Sequence, residues 1–186
     1  MGGMAETPSA RDRILDAFEE LLGEQSERAA TLDAVAARAG VSKGGLLYHF
    51  ASKDAMVDGV LARLSDHVEA DLERMRTAPE GPVDYFIRTS IPTDNDLERS
   101  IVAVARLAQS ADSRARDALA SMQRAWLGIL ESSVGDPLVA RIIMLIGDGM
   151  YYNTALLPDT NAVLRGETDL DRVIELVKRL ADDPTD

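Results

Sequence analysis

The residues with the clearest chemical potential are three cations in a stretch of sequence that contains no acid. Between residues 34 and 53 the chain carries Arg38, Lys43 and Lys53 but neither Asp nor Glu, although its formal net charge is -12. Screening at physiological ionic strength limits exposed charges to a range of about 8 Å, so a surface presents its own charges more than the distant total. This stretch could therefore bind an anionic group such as a phosphate, while the acidic total argues against nonspecific coating of nucleic acid.

Other patterns that support chemistry are weak or absent. The chain has no cysteine, which excludes disulfides and thiolate chemistry. Its two histidines, His49 and His67, lie apart in the sequence, and no nucleophile elbow, phosphate-binding loop or HExxH motif is present. The run DNDLE at 94–98 looks similar to a calcium loop but lacks the glycine and the spacing of an EF-hand. We expect no enzymatic activity, no cofactor and no bound metal.

Apolar residues recur at helical spacing through almost the whole chain, and no segment alternates as a strand does. We expect an all-α protein of about nine helices. Thr31 and Ser42 are good N-caps for two short helices, and Gly40 can end the first of them. Ser52 then begins a long helix over 52–77, which the sequence TAPEGP ends. The other predicted helices cover 9–23, 83–90, a segment that begins at Thr93 or Asp94, 113–134, 137–157 and 170–181.

The two short helices, joined through Ala39, Gly40 and Val41, have the form of a helix-turn-helix, whose second helix can enter a major groove. The matching run is TLDAVAARAGVSKGGLLYHFASKDAMVDGVL at 31–61, preceded by RDRILDAFEELLGEQ. This run resembles the TetR family of transcriptional repressors. It covers about a third of the chain, and the rest matches that family only in plan.

The resemblance implies a domain order and a function. A three-helix DNA-binding domain at 1–51 would precede a helical ligand-binding and dimerisation domain at 52–186, linked by the long helix 52–77. The protein would be a ligand-responsive transcriptional regulator, a repressor that a small molecule releases from a palindromic DNA operator. The acidic charge and the paired glycines leave an alternative open, namely a helical ligand-binding or interaction protein that has lost operator binding.

The resemblance also implies which residues contact DNA. Thr31 would contact a phosphate through its hydroxyl or backbone amide. Ser42 and Lys43 would lie at the start of the recognition helix, where Lys43 could reach a phosphate or a guanine edge. Lys53 resembles a phosphate clamp of the family. The full predicted set is Thr31, Ser42, Lys43, Gly44, Gly45, Tyr48, His49 and Lys53. Thr31 and Ser42 could equally serve as plain N-caps, and Tyr48 could mainly pack.

The two adjacent glycines have a cost that needs a reason. Gly44 and Gly45 each cost about 1 kcal/mol against alanine in a helix. Without side chains they would let the helix backbone approach DNA closely, but they cannot bond to base edges. Readout would then depend on the neighbouring side chains and on DNA shape. Leu47 and Phe50 are expected to lie in the core.

The second domain is expected to bind an effector and a second copy of the chain. Helix 137–157 is apolar nearly all round, so one side needs a partner, and helix 170–181 would join it in a homodimer. Gly147, Gly149 and Ala155 would allow close approach there. A mostly apolar effector would meet the candidate pocket residues Tyr85, Phe86, Met122, Trp126, Met144, Asp148 and Tyr151. Each could instead be core, and Asp148 could pair with an arginine across the dimer.

The sequence also bears on location. The first residues, MGGMAETPSARDR, have no apolar centre of the signal-peptide type. The longest nearly apolar run, 142–157, contains Asp148 and Asn153 and is too short to cross a bilayer comfortably. We expect a soluble, cytoplasmic protein without a membrane partner.

Overall fold

The computed structural model describes residues 8–25, 27–156 and 167–182. Within these residues the predicted all-α fold of nine helices is confirmed, and no helix is long and apolar enough to cross a membrane. The helices are α1 (Ala10–Glu24), α2 (Leu32–Ala39), α3 (Lys43–His49), α4 (Lys53–Thr77), α5 (Pro82–Thr89), α6 (Asp96–Gln109), α7 (Ser113–Val134), α8 (Pro137–Leu156) and α9 (Glu167–Asp182).

Two predicted helix starts differ from the structure by two or more residues. The N-cap of α6 is Asn95 rather than Thr93 or Asp94, and its side chain accepts a hydrogen bond of 2.9 Å from the Glu98 amide. Helix α9 begins at Glu167, three residues before the predicted start at 170. Residue 157, the predicted end of α8, lies outside the described residues.

The chain forms two compact units. The first unit comprises Met1–His67 and Asn95–Ala120, and the second comprises Val68–Asp94 and Ser121–Asp186. Helices α4 and α7 each contribute residues to both units. These units do not follow the predicted functional division into 1–51 and 52–186, which stays a prediction about roles.

The core of the first unit is built around α1, which packs against α2, α3 and α6. Ile14, Phe18 and Leu22 recur every four residues along α1 and are fully buried. Residues at this spacing share one face of a helix, so α1 presents a continuous apolar stripe to its neighbours. Leu46 of α3 and Met56 of α4 are also fully buried, which fixes the helix-turn-helix on the same core.

A buried polar network joins three helices of the first unit. Ser100 of α6 donates a hydrogen bond of 2.8 Å to Glu19 of α1, and the hydroxyl lies 3.1 Å from His67 Nδ1 of α4. Because the hydroxyl gives its single proton to Glu19, His67 Nδ1 donates to it. Arg63 of α4 binds Glu19 at 2.9 Å and Asp16 at 2.6 Å. The network therefore sets the register of α1, α4 and α6.

The core of the second unit lies where α5, α8 and α9 meet. Phe86 of α5 packs against Gly147 of α8, where an added Cβ would overlap the phenyl ring and lie 2.6 Å from Ser90 Oγ. Only glycine allows this approach. The expectation that Gly147 serves close contact with a second copy is wrong, because this residue is buried within its own unit.

An ionic network ties α5 to α9. Asp84 is buried, and its carboxylate accepts hydrogen bonds from Arg88 at 2.6 Å and from Lys178 at 2.7 Å. Arg88 also binds Asp171 at 2.9 Å. Burial acts to raise the pKa of Asp84, but the hydrogen bonds from Lys178 and Arg88 outweigh it and hold that pKa below its ordinary value.

Candidate nucleic-acid interface

The turn between α2 and α3 forms as the capping residues predict. Thr31 Oγ1 accepts a hydrogen bond of 3.2 Å from the Ala34 amide, and Ser42 Oγ accepts one of 3.0 Å from the Gly45 amide. Gly40 ends α2 in the left-handed conformation, at φ 66° and ψ 35°, which glycine adopts without steric cost. Capping uses an acceptor lone pair of each hydroxyl, so the two O–H protons remain for a second interaction.

The side chains of α3 divide between core and solvent. Leu46 is fully buried and Phe50, just after the helix, is buried as predicted. Leu47, which the sequence assigns to the core, is 40% exposed, so that expectation is wrong. Successive helical residues are rotated by about 100°, and a helix this short has one side against the unit. Leu46 and Phe50 occupy that side, which turns Leu47 outward.

Tyr48 and His49 lie at the exposed end of α3. Tyr48 is 86% exposed, which contradicts the alternative that it mainly packs. Its ring meets the edge of the exposed His49 ring, with centroids 5.2 Å apart and planes at 83°. Both side chains are therefore accessible to a macromolecular partner on the outer surface of the helix-turn-helix.

Each cation of the acid-free stretch is paired with a carboxylate from elsewhere in the sequence. Lys43 Nζ lies 3.0 Å from an oxygen of Asp33, at the start of α2. Lys53 Nζ lies 2.5 Å from a carboxylate oxygen of Glu27, and it also donates to the Glu27 backbone carbonyl. Arg38 binds the carboxylates of Glu20 and Glu24 on α1. The stretch is therefore free of acid in the sequence but not in space.

The pairs differ in character. Lys43 and Asp33 are both largely exposed, so an incoming anionic group can displace the carboxylate. Lys53 is only partly exposed and has two acceptors on Glu27, so its release is harder. Arg38 donates to one oxygen of Glu20 at 2.9 Å and to both oxygens of Glu24, at 2.9 and 3.2 Å, which ties α2 to α1.

The two glycines of α3 occupy different environments. A Cβ on the exposed Gly44 would have no neighbour closer than Ser42 Oγ at 4.0 Å. A Cβ on Gly45 would lie 3.3 Å from the same oxygen, which is tighter than an ordinary contact. Gly44 therefore leaves open space on the outer side of α3, while Gly45 leaves room for the capping hydroxyl.

The candidate pocket residues in the second unit are only partly brought together. One apolar cluster holds Phe86 and Met144, with Tyr85 and Trp126 packed against it. The rings of Phe86 and Trp126 are 6.2 Å apart and inclined at 61°. Met122 is buried but is not part of that cluster, and Tyr151 is half-buried on α8.

A buried acid that the sequence reasoning missed lies beside this cluster. Asp71 of α4 accepts hydrogen bonds from the Tyr85 hydroxyl at 2.8 Å and from the Trp126 indole at 2.9 Å. Arg74 donates to Tyr85 at 3.3 Å. The helical spacing offered a signal, because Asp71 lies three residues after buried Val68 and four before buried Met75.

Asp148 stands out among the predicted pocket residues. It lies on α8 beside Gly147, and burial of the carboxyl raises its pKa. Among the described residues none donates a hydrogen bond to its carboxylate. The side chain is therefore partly desolvated without a donor among the residues that the structure describes, which is costly unless another group supplies one.

The outer sides of α8 and α9 each carry exposed apolar side chains. The exposed large hydrophobic residues of α8 recur at steps of three, four or seven residues, and those of α9 lie one turn apart, so each set forms one stripe. They are Leu138, Ile142, Leu145 and Tyr152 on α8, and Leu176 and Leu180 on α9. Helix α8 is thus apolar on both sides, as predicted, with one side covered within its unit.

Comparisons with known proteins agree on the N-terminal segment and the fold. The model of a family described as bacterial regulatory proteins, tetR family, matches residues 14–60. The transcriptional regulator SrpR of Pseudomonas putida is 39% identical over 67 residues, which are 36% of this chain and 32% of that protein. UidR of Escherichia coli K12 is 33% identical over 101 residues, 52% of this chain and 50% of that protein. The chain thus spans a third to a half of these relatives' lengths.

A solved structure extends the similarity over most of the chain. The multidrug binding protein EbrR, complexed with malachite green, is 25% identical, with a TM-score of 0.65. The alignment covers 93% of this chain and 98% of that one. A member of the TetR family from Streptomyces coelicolor A3 has a TM-score of 0.69 at 22% identity, which shows the shared fold.

Proposed function

Because the chain belongs to the TetR family of bacterial regulatory proteins, we propose that it is a ligand-responsive DNA-binding regulator. In this proposal it represses transcription from a palindromic operator and leaves that operator when a small molecule binds. The family consists of transcriptional regulators, and no enzymatic role is proposed.

The observation that carries the proposal is the outer side of α3. It presents Lys43, Leu47 and Tyr48 to solvent, and the helix contains no acidic residue. An α-helix is about 10–12 Å wide with its side chains and fits a major groove about 12 Å wide. The exposed apolar and cationic side chains of this short helix suit that groove and take no part in the core of their own unit.

The proposed contacts are those that the family resemblance implies, and the exposure of these side chains supports them. Lys43 exchanges Asp33 for a phosphate or a guanine edge, and the hydroxyls of Thr31 and Ser42 donate their remaining protons to phosphates. Tyr48 and His49 reach the backbone from the far end of α3. Gly44 and Gly45 have no side chains, so the backbone of α3 can approach DNA closely. Lys53 contacts a phosphate after its ion pair with Glu27 breaks.

The proposed effector is a mostly apolar molecule with one polar group. The aromatic and sulphur-containing cluster of Phe86, Trp126 and Met144 supports the apolar part. Asp148 would supply the fixed polar group, because its carboxylate has no donor among the described residues. The binding of malachite green, a compound with several aromatic rings, to EbrR supports the same chemistry by analogy.

The proposed assembly is a homodimer through α8 and α9. The exposed apolar stripes on these helices support it, because contiguous apolar surface of this kind marks interaction sites. Two copies of the helix-turn-helix are required to read two half-sites about 34 Å apart on one side of the duplex. The proposed location is the cytoplasm, where the DNA is.

One experiment tests the proposal. The full chain is used to select binding sites from a random duplex DNA pool, and affinity for the selected duplex is measured across a salt series. A palindromic sequence and a steep fall of affinity with salt are expected. If no sequence is enriched and the affinity for random duplex falls little with salt, the proposed function fails. The alternative of a helical binding protein that has lost operator recognition then stands.

A variant pair makes that measurement specific. Lys43→Ala is expected to weaken binding to the selected duplex about tenfold, the effect of losing a charged hydrogen bond. Arg124→Ala removes an exposed cation of the second unit and serves as the charge-matched control. Equal affinity of the two variants would remove Lys43 from the interface.

A further inference from the structure

Leu47 is an apolar side chain that the first unit leaves exposed. Among the described residues of the first unit two large hydrophobic side chains are exposed, Leu47 and Tyr48, and they are neighbours on α3. The unit buries its other large hydrophobic side chains wholly or in part. Exposed leucine is normal on many surfaces, but here it falls on the helix that the proposed function places in the groove.

Leu47 lies on the outer side of α3, together with Lys43 and Gly44. It lies one helical turn after Lys43 and three residues after Gly44, so all three share the outer side of the helix. Gly44 has no side chain, and a Cβ there would meet no atom closer than 4.0 Å. The outer side of α3 therefore has open space next to Leu47, and this leucine projects beyond the backbone around it.

The chemistry of leucine restricts what it can recognise. It has no donor or acceptor, so it cannot read the hydrogen-bonding pattern of a base pair. The apolar group that base edges present in the major groove is the C5-methyl of thymine. We propose that Leu47 is a specificity-determining residue that contacts a thymine methyl in each operator half-site. This inference rests on the proposed function and adds a named base to it.

The test removes single methyl groups from DNA. After an operator has been selected with the full chain, each thymine of a half-site is replaced in turn by deoxyuridine, which lacks only the C5-methyl. Affinities are measured for the wild type and for Leu47→Ala, whose fold is checked by circular dichroism. The wild type is expected to lose about fourfold affinity for each half-site at one thymine position, the effect of one buried methyl group. Leu47→Ala is expected to bind the thymine and uracil duplexes equally at that position.

The outcomes separate the inference from its premise. A wild type that tolerates every uracil substitution, or a Leu47→Ala variant that keeps the wild-type sensitivity, would overturn the role of Leu47 while operator binding stands. Failure to select any operator would overturn the proposed function itself, and the inference with it. As a second readout, site selection with Leu47→Gln is expected to replace thymine at that position, because glutamine pairs with adenine. Unchanged selection of thymine would also overturn the role of Leu47.

Discussion

The Nζ atom of Lys43 lies 3.0 Å from an Asp33 carboxylate oxygen, so the lysine at the start of α3 is already paired with an acid when no DNA is bound. Both side chains are largely exposed, and a phosphate can displace the carboxylate. In the proposed complex the displaced Asp33 stays close to DNA, where its charge is repelled. A correct operator must compensate for this repulsion by other contacts, whereas random DNA cannot.

Removing that acid is expected to weaken discrimination between operator and random DNA. We expect Asp33→Asn to tighten binding to random duplex about three- to tenfold and to steepen its salt dependence by about one unit for each protomer, because Lys43 becomes free to neutralise a phosphate. Operator affinity is expected to rise less. The measurement is a salt series on random and selected duplexes for both proteins.

The control for this prediction is the same substitution in a Lys43→Ala background. If the Lys43–Asp33 ion pair is the cause, Asp33→Asn raises the affinity for random duplex only slightly in the Lys43→Ala background. An equal gain in both backgrounds would show that the effect is one of total charge and not of this ion pair.

The two glycines of α3 are expected to differ on substitution. Gly44→Ala is expected to stabilise the protein by about 0.4–1 kcal/mol, because alanine is the better helix former and its Cβ meets open space. Gly45→Ala is expected to gain less, since its Cβ presses on the capping oxygen of Ser42 at 3.3 Å. Urea unfolding measures both. A larger gain for Gly45→Ala would contradict this assignment of their environments.

Local signals in the sequence were sufficient for most helix boundaries. Thr31, Gly40 and Ser42 act as predicted because capping depends on the residue itself and on the next turn. The predicted start of α6 was wrong because Thr93, Asp94 and Asn95 can all act as N-caps. Packing against the rest of the protein decides among them. A short loop of equivalent residues leaves that choice open to sequence reasoning.

The site was harder to predict, because its contacts cross between elements. The lysines of the acid-free stretch were found, but their partners Asp33 and Glu27 lie outside it and become neighbours only in the fold. The periodicity of a seven-residue helix does not decide which of the adjacent Leu46 and Leu47 faces the core. For this reason the exposed leucine was assigned to the wrong side.

The ionic network on α5 is expected to make stability depend on pH. The pKa of Asp84 is held below its ordinary value of 3.8, so its contribution is present above that pH and is lost as the pH falls through the lower folded value. At pH 7 Asp84→Asn is expected to be less stable by about 1.5–3 kcal/mol, the range for a charged hydrogen bond. The difference from wild type is expected to shrink below about pH 4.

Urea unfolding of both proteins from pH 7 down to pH 3 checks this dependence. Other carboxylates titrate in both proteins, so the difference isolates Asp84. A difference that stays constant over the whole range would show that burial of a polar group, and not its charge, stabilises the contact between α5 and α9.

The apolar stripe on α8 is expected to hold two copies of the chain together. Leu145 is 69% exposed, so Leu145→Glu leaves the folded unit intact but places a charge in the proposed interface, where it would be desolvated without a partner. We expect sedimentation to show a dimer for wild type and for the control Ser121→Glu, which adds the same charge to an exposed position of α7. Leu145→Glu is expected to sediment as a monomer. Its operator affinity is expected to fall at least a hundredfold, because each helix-turn-helix then binds its half-site alone. A dimeric Leu145→Glu would place the interface elsewhere. A monomer with undiminished operator affinity would show that the two copies of the helix-turn-helix bind DNA independently.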